Sequence, residues 1–351
     1  MKKPKTADMN VKYVLGGLDA RIFDRRPFPF SMEMMERLCG AYRIGKPEYL
    51  IPEWNIRVSH SNFIVYVKTP RGTFLLKCYA RERPESFLRE LSVNRFLIRN
   101  RFSVPAMLTA GRQNPYVRLE DYYVTCYEWI DAQPLYSFPL DGRLLSGVAD
   151  VMVGMRRLLA DFSHLRPAAA EISEPFDQRM TTLHVAMARF GAWKRAGLIV
   201  RILDKLDGFY RRRCSLFTPS LLHTNLGLSN ILMKDGRYFV VDLTHVQGDY
   251  HQQDLASFCF SCYLFDVPLA RIEIFARTLI RTQADPRRQE ALWKVLFVKL
   301  AVQKLEKTLD KEIKALSLRR DSALLRSYLY HIRRRKTQLL SVIGLFGKDL
   351  P

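Results

Sequence analysis

The sequence predicts an α+β protein, with strands gathered in its first third and helices filling most of the remainder. Between residues 55 and 129, short β-branched and aromatic runs are separated by turn residues. From residue 144 to 344, apolar residues recur mostly at helical spacing. That helical region is broken by residues 221–258, where two short apolar runs flank an Asp235-Gly236 turn. Strands followed by helices, rather than strict alternation of the two, is the α+β order.

The first predicted helix covers residues 31–42. Ser31 suits an N-cap, and Met32, Met35, Leu38 and Cys39 share a face. Residues 55–58 and 63–68 read as strands joined by Ser59-His60-Ser61-Asn62, and residues 73–79 as a third strand after the 69–72 turn. Pro84 opens a helix whose apolar side is Phe87, Leu88, Leu91 and Ile98; Glu90 is the acid in its body. Residues 122–129 form another strand, and Pro134 and Pro139 mark a loop. Helices follow at 144–159, 182–193 and 198–210, and three more fill residues 269–344.

Composition narrows the classes of function. A chain of 351 residues can bury a large core without staples, and its 48% apolar content is ordinary for a globular protein. No apolar run approaches the roughly 18 residues of a membrane span. The basic N-terminus lacks the apolar stretch of a secretory signal, so a cytoplasmic protein is expected. Of six cysteines only Cys259 and Cys262 are close, without a second pair to complete a zinc site, so they read as core. The net charge of +21 is unevenly spread: residues 287–351 hold sixteen Lys and Arg against six Asp and Glu. Such charge suits anionic partners and disfavours a polycationic substrate; nucleic acid lacks any supporting motif.

The hairpin at residues 231–241 focuses the chemistry. It brings the loop before its first strand close to the loop after its second, so Asn230 and Asp242 can face one point. An amide oxygen and a carboxylate are suitable hard ligands for Mg²⁺, which takes the rest of its shell from water and phosphates.

The pattern His223-x-Asn225-x4-Asn230, then Asp242, then Asp254-Leu255-Ala256, resembles the catalytic core of the aminoglycoside phosphotransferase and choline kinase-like superfamily. That superfamily shares the protein kinase fold. The resemblance implies a two-lobed architecture: an N-terminal segment with a helix (1–47), a small β-rich nucleotide-binding N-lobe (48–131) and a larger helical C-lobe (132–351). It implies ATP and Mg²⁺ as cofactors and a small-molecule hydroxyl as acceptor. By the same resemblance Asn230 and Asp242 hold the metal, and Lys77 contacts phosphate with Glu90 as its partner. Residues 59–62, including Ser61 and Asn62, stand where a phosphate-covering loop would be; an ordinary polar hairpin reads equally well. Glu128 to Ile130 would form the hinge whose backbone meets adenine. Gly248-Asp249 matches a recurring pair in the superfamily. Asp254 is read as an N-cap bracing the catalytic loop, and His223 as a packing residue.

One departure matters. The superfamily has Asp where this chain has Asn225, at the position of the catalytic base. Asparagine accepts a hydrogen bond but has no basic site near neutral pH. Two expectations follow: a phosphotransferase with weakened transfer, or a pseudokinase serving as an interaction protein. His245 and Asp249 are the nearest replacement bases in sequence. The basic run at 331–336 before apolar residues 339–346 supports two readings, a last helix packed on the C-lobe or an amphipathic end touching an anionic membrane surface or acidic protein. The second would place the protein peripherally at the inner face of the membrane.

Overall fold

The computed structural model describes residues 30–52, 62–81, 84–111, 113–162, 196–213, 219–317 and 323–348. The expected strand at 55–58, Ser61 and the expected helix at 182–193 lie outside them. The chain forms two compact units. One holds the described residues from 30 to 137 together with Ser229–Val246; the other holds those of 138–228 and 247–348.

The first unit opens with α1 (Met32–Ala41), which starts where Ser31 Oγ accepts the Met34 N–H at 3.2 Å. Strand β1 (Tyr49–Pro52) was not evident in the sequence: it is four residues long and ends in proline, so it lacks the alternation that marks a strand. It lies at the edge of an antiparallel sheet. Next come β2 (Asn62–Thr69) and β3 (Gly72–Ala80), then α2 (Pro84–Arg99), beginning at its proline. The short strands β4 (Met107–Leu108) and β5 (Val117–Leu119) both pair with β6 (Tyr122–Glu128), giving the order β1-β2-β3-β6-β4.

Register decides which residues share a face. Lys77 stands opposite Thr125 and Tyr79 opposite Tyr123, whereas Leu76 opposes Cys126 and Cys78 opposes Val124. Side chains alternate along a strand. Val65, Val67, Leu76, Cys78, Val124 and Cys126 therefore pack with Met35, Leu38 and Cys39 of α1 in an apolar core. The opposite face carries Lys77, Tyr79, Thr125 and Tyr127, all buried, with Phe87, Glu90 and Leu91 of α2 also buried. The strand β7 (Gln133–Pro134) adds to the hairpin of β9 (Ile231–Lys234) and β10 (Arg237–Val240). Asp235 and Gly236 at its turn have φ of 49° and 75°, the left-handed conformation in which glycine is unstrained.

The second unit is mainly helical. Its α3 (Gly142–Ala160) is capped by Asp141, whose Oδ1 accepts the Leu144 N–H at 2.9 Å. After α4 (Ala196–Arg213), β8 (Pro219–Leu222) pairs with β11 (Gln247–Tyr250). Residues 247–250 read as a polar loop in sequence; pairing with β8 makes them a strand, because β structure depends on its partner more than on composition. Every residue of α5 (Gln253–Leu264) except Tyr263 is buried, with Cys259 and Cys262 as free thiols in the core. The unit ends with α6 (Leu269–Arg281), α7 (Pro286–Ser317) and α8 (Ala323–Gly347).

In α8, Leu339, Val342, Ile343 and Phe346 are buried. Its basic run is engaged locally: Arg333 and Lys336 meet Glu312 at 3.6 and 2.5 Å, Arg334 meets Asp266 at 3.9 Å, and Arg335 is buried. The apolar side of α8 is thus packed, while the side chains of Arg333 and Arg334 remain more than half exposed. Among the described residues no helix is long and apolar enough to cross a membrane.

Candidate functional site

In the first unit, polar side chains from three elements meet at Lys77. Position 77 falls on the α2-facing side of β3, so its ammonium is enclosed rather than solvated. Its Nζ lies 2.8 Å from Glu90 Oε2 and 2.9 Å from Asp242 Oδ1. Glu90 is held in turn by two hydroxyls: Tyr79 donates to Oε2 at 2.6 Å and Tyr127 to Oε1 at 3.3 Å. Tyr79 is two residues from Lys77 on the same strand, and Tyr127 comes from β6. Asp242 lies two residues beyond the end of β10, in the left-handed region at φ 63°, ψ 57°. A turn of 3₁₀ helix (Leu243–His245) then returns Thr244 Oγ1 to donate to Asp242 Oδ1 at 2.6 Å.

Burial opposes both charges of this pair, and the charges answer each other. Desolvation lowers the Lys77 pKa, but Asp242 and then Glu90 more than offset it, so the ammonium is held above its ordinary value. Desolvation raises that of Asp242, yet Lys77, His245 and the hydrogen bonds from Thr244 and Lys77 hold it well below the usual carboxylate range. A depressed acid stabilises the fold above its unfolded pKa and loses that contribution as pH falls; a raised base does so below its own and loses it as pH rises. The stability gap between the wild-type chain and Asp242→Asn is therefore expected to be full from about pH 5 to 9 and to shrink progressively as pH falls below about 4, toward the depressed folded-state pKa. Urea titrations across that range check this; a gap independent of pH would contradict it.

The donor set suits a hard cation. Asn230 precedes β9, its carbonyl accepting the Val241 N–H at 3.0 Å, so the hairpin sets residues 230 and 242 at its open end. Asp242 Oδ1 is occupied by Lys77 and Thr244; Oδ2 lies 3.7 Å from His245 Nε2, and about a third of the side chain is open. Among the described residues no group of three or more His, Cys, Asp or Glu forms a closed cage. The carboxylate of Asp242 and the amide oxygen of Asn230, which accepts from Ser229 Oγ at 3.4 Å, are donors of the hard type that Mg²⁺ takes.

The other predicted residues lie as follows. Asn62 begins β2 opposite Tyr79. Glu128 ends β6 opposite Phe74, on the sheet face away from Lys77, and Ile130 follows, its carbonyl accepting the Ala132 N–H at 2.7 Å. In the second unit Asn225 is exposed, on the loop after β8. That loop is braced by Asp254, whose two oxygens accept the N–H groups of His223 at 3.1 Å and Thr224 at 2.7 Å. The N-cap of α5 is Gln252, not Asp254. Asp254 sits one position inside the helix because its carboxylate is turned to the loop, where burial raises its pKa despite those donors. Asp254→Ala would strand two N–H groups and is expected to cost about 2–4 kcal/mol, read by chemical denaturation. The tyrosines on Glu90 and the threonine on Asp242 were missed in sequence; their signal is spacing, since Tyr79 and Thr244 each lie two residues from a named group.

A scan against protein-family models and a search of curated proteins find no match. Solved structures do match. A spectinomycin phosphotransferase in complex with ADP and spectinomycin aligns over 91% of this chain and 99% of its own, at 13% identity and TM-score 0.59. An amicoumacin kinase in complex with AMP-PNP, Ca²⁺ and Ami aligns over 85% of this chain and 89% of its own, at 13% identity and TM-score 0.61. An ethanolamine kinase of Plasmodium vivax covers 96% of both chains at 11% identity and TM-score 0.57. The fold of this chain is thus that of the aminoglycoside phosphotransferases and ethanolamine kinase, the kinase-like α+β fold.

Proposed function

We propose that this chain binds Mg-ATP and transfers phosphate to the hydroxyl of a small molecule, a sugar, amino alcohol or anionic glycolipid. The observation that carries the reading is the convergence of Lys77, Glu90 and Asp242, residues 165 positions apart at the extremes, on one buried ammonium. A lysine fixed by two carboxylates is a costly way to build a core, and it has the geometry that phosphate binding asks of it: position and charge set in advance. In this reading Lys77 contacts the nucleotide's phosphates, Glu90, itself held by Tyr79 and Tyr127, positions it directly, and Asn230 and Asp242 hold the metal. Bound Mg²⁺ would neutralise charge developing on the phosphate oxygens. The fold's occurrence in proteins solved with ADP, AMP-PNP and small-molecule substrates supports the same class.

Asn225 supports a second reading, in which nucleotide binding persists without transfer and the chain acts as a pseudokinase. An acidic protein or anionic surface at the basic C-terminal helices would be its partner.

A thermal-shift titration with Mg-ATP tests both. Ligand at a hundredfold excess over Kd should stabilise the chain by about 2.7 kcal/mol, and EDTA should reduce the shift. No shift would remove both nucleotide readings.

A further inference from the structure

The sheet face that bears Lys77 continues into an aromatic set. Tyr123 stacks on Phe87 of α2, with ring centroids 4.8 Å apart and planes 9° from parallel. Tyr116 meets Phe87 at 5.0 Å and Tyr123 at 5.5 Å, both nearly edge-on. Phe87 is 5.3 Å from Tyr79, the residue whose hydroxyl donates to Glu90. Contacts therefore run without a break from Tyr116 and Tyr123 to the carboxylate that holds Lys77.

The outer end of this set opens into a hollow of about 550 Å³, lined in part by Gly111, Asn114, Tyr116, Arg118 and Tyr123. The hollow is shallow and open to solvent, so a ligand there would lie against the two rings with its outer side exposed. Arg118 is the cross-strand partner of Tyr123, so its side chain leaves the sheet beside that ring. It has no ion pair among the described residues, and the hydroxyls of Tyr116 and Tyr123 have no hydrogen bond there. Aromatic faces beside a guanidinium and two hydroxyls that are unpaired among the described residues match a flat ring bearing a carboxylate: the ring packs on tyrosine, and the carboxylate takes the planar fork.

We propose that this hollow is a regulatory site for a planar aromatic carboxylate, and that its occupancy fixes α2 and thereby Glu90 against Lys77. A ligand packed on Tyr116 and Tyr123 restrains Phe87, which sits one helical turn before Glu90. The link to nucleotide rests on the function proposed above; binding in the hollow does not.

Indole-3-acetate is a suitable probe, with uncharged indole-3-acetamide as control. Calorimetry on the full chain without nucleotide should show binding of the acid, weakened at least about tenfold in Arg118→Ala and for the amide. Arg118 is exposed, so the variant should fold as the wild type does. Hydrogen exchange of the α2 amides should slow several-fold with the acid in the wild type and remain unchanged in the variant. Apparent Mg-ATP affinity should rise about fivefold or more, the usual scale of such coupling. No binding at millimolar concentration, or equal binding to both proteins, overturns the site. Binding that leaves α2 exchange unchanged overturns the relay. A wild-type chain that fails to bind Mg-ATP counts against the nucleotide reading alone, since exchange at α2 still decides this one.

Discussion

Lys77→Met is expected to destabilise the chain by about 3–5 kcal/mol, the usual result of removing one partner from a buried ion pair. Lys77 is 6% exposed and Glu90 4%, so water does not replace the lost ammonium. Methionine matches the length of the lysine stem, which keeps a packing void out of the comparison. Glu90 retains the Tyr79 and Tyr127 hydroxyls, at 2.6 and 3.3 Å, which places the loss toward the lower end. The origin of the cost is tested by adding Glu90→Gln. If an uncompensated carboxylate is responsible, the double variant is more stable than the sum of the two single losses predicts, by roughly 0.5–3 kcal/mol. Urea denaturation measures all three; strict additivity would show that Lys77 and Glu90 act independently. The Mg-ATP shift should vanish in Lys77→Met under conditions where the variant is still folded.

The parts legible in the sequence were those set by local pattern. Ser31 and Pro84 mark helix starts because capping and proline geometry are written in a few adjacent residues. The hairpin around Asp235-Gly236 was legible because its turn demands φ > 0. The parts that were not legible depend on partners far away in the chain. Residues 247–250 carry a polar loop sequence and become a strand only against residues 219–222. At the site, Lys77 and Asp242 came from the order of motifs, whereas Tyr127 did not. Its hydroxyl reaches Glu90 only because β6 pairs with β3 in a register that sets Leu75 opposite Tyr127. A one-residue slip would turn it to the α1 side.

Asn225→Asp carries the largest expected effect on rate. A positioned base is worth about 10²–10⁴ in proton transfer, and asparagine provides none. Restoring a carboxylate should raise ATP turnover by a factor of that order. The side chain is exposed on the loop held by Asp254, so stability should change by no more than about 0.5 kcal/mol. Affinity for Mg-ATP should hold steady, because Lys77, Asn230 and Asp242 are untouched; the gain belongs in kcat rather than KM. Phosphate or ADP release by the two proteins under saturating Mg-ATP gives the answer. A native chain that turns over as fast as the variant would move proton acceptance to another group. Asp249, buried in β11, and His245, 3.7 Å from Asp242, are then the next substitutions. A native chain that binds nucleotide without turnover, and a variant that gains it, would make the asparagine the single residue separating a binding protein from an enzyme.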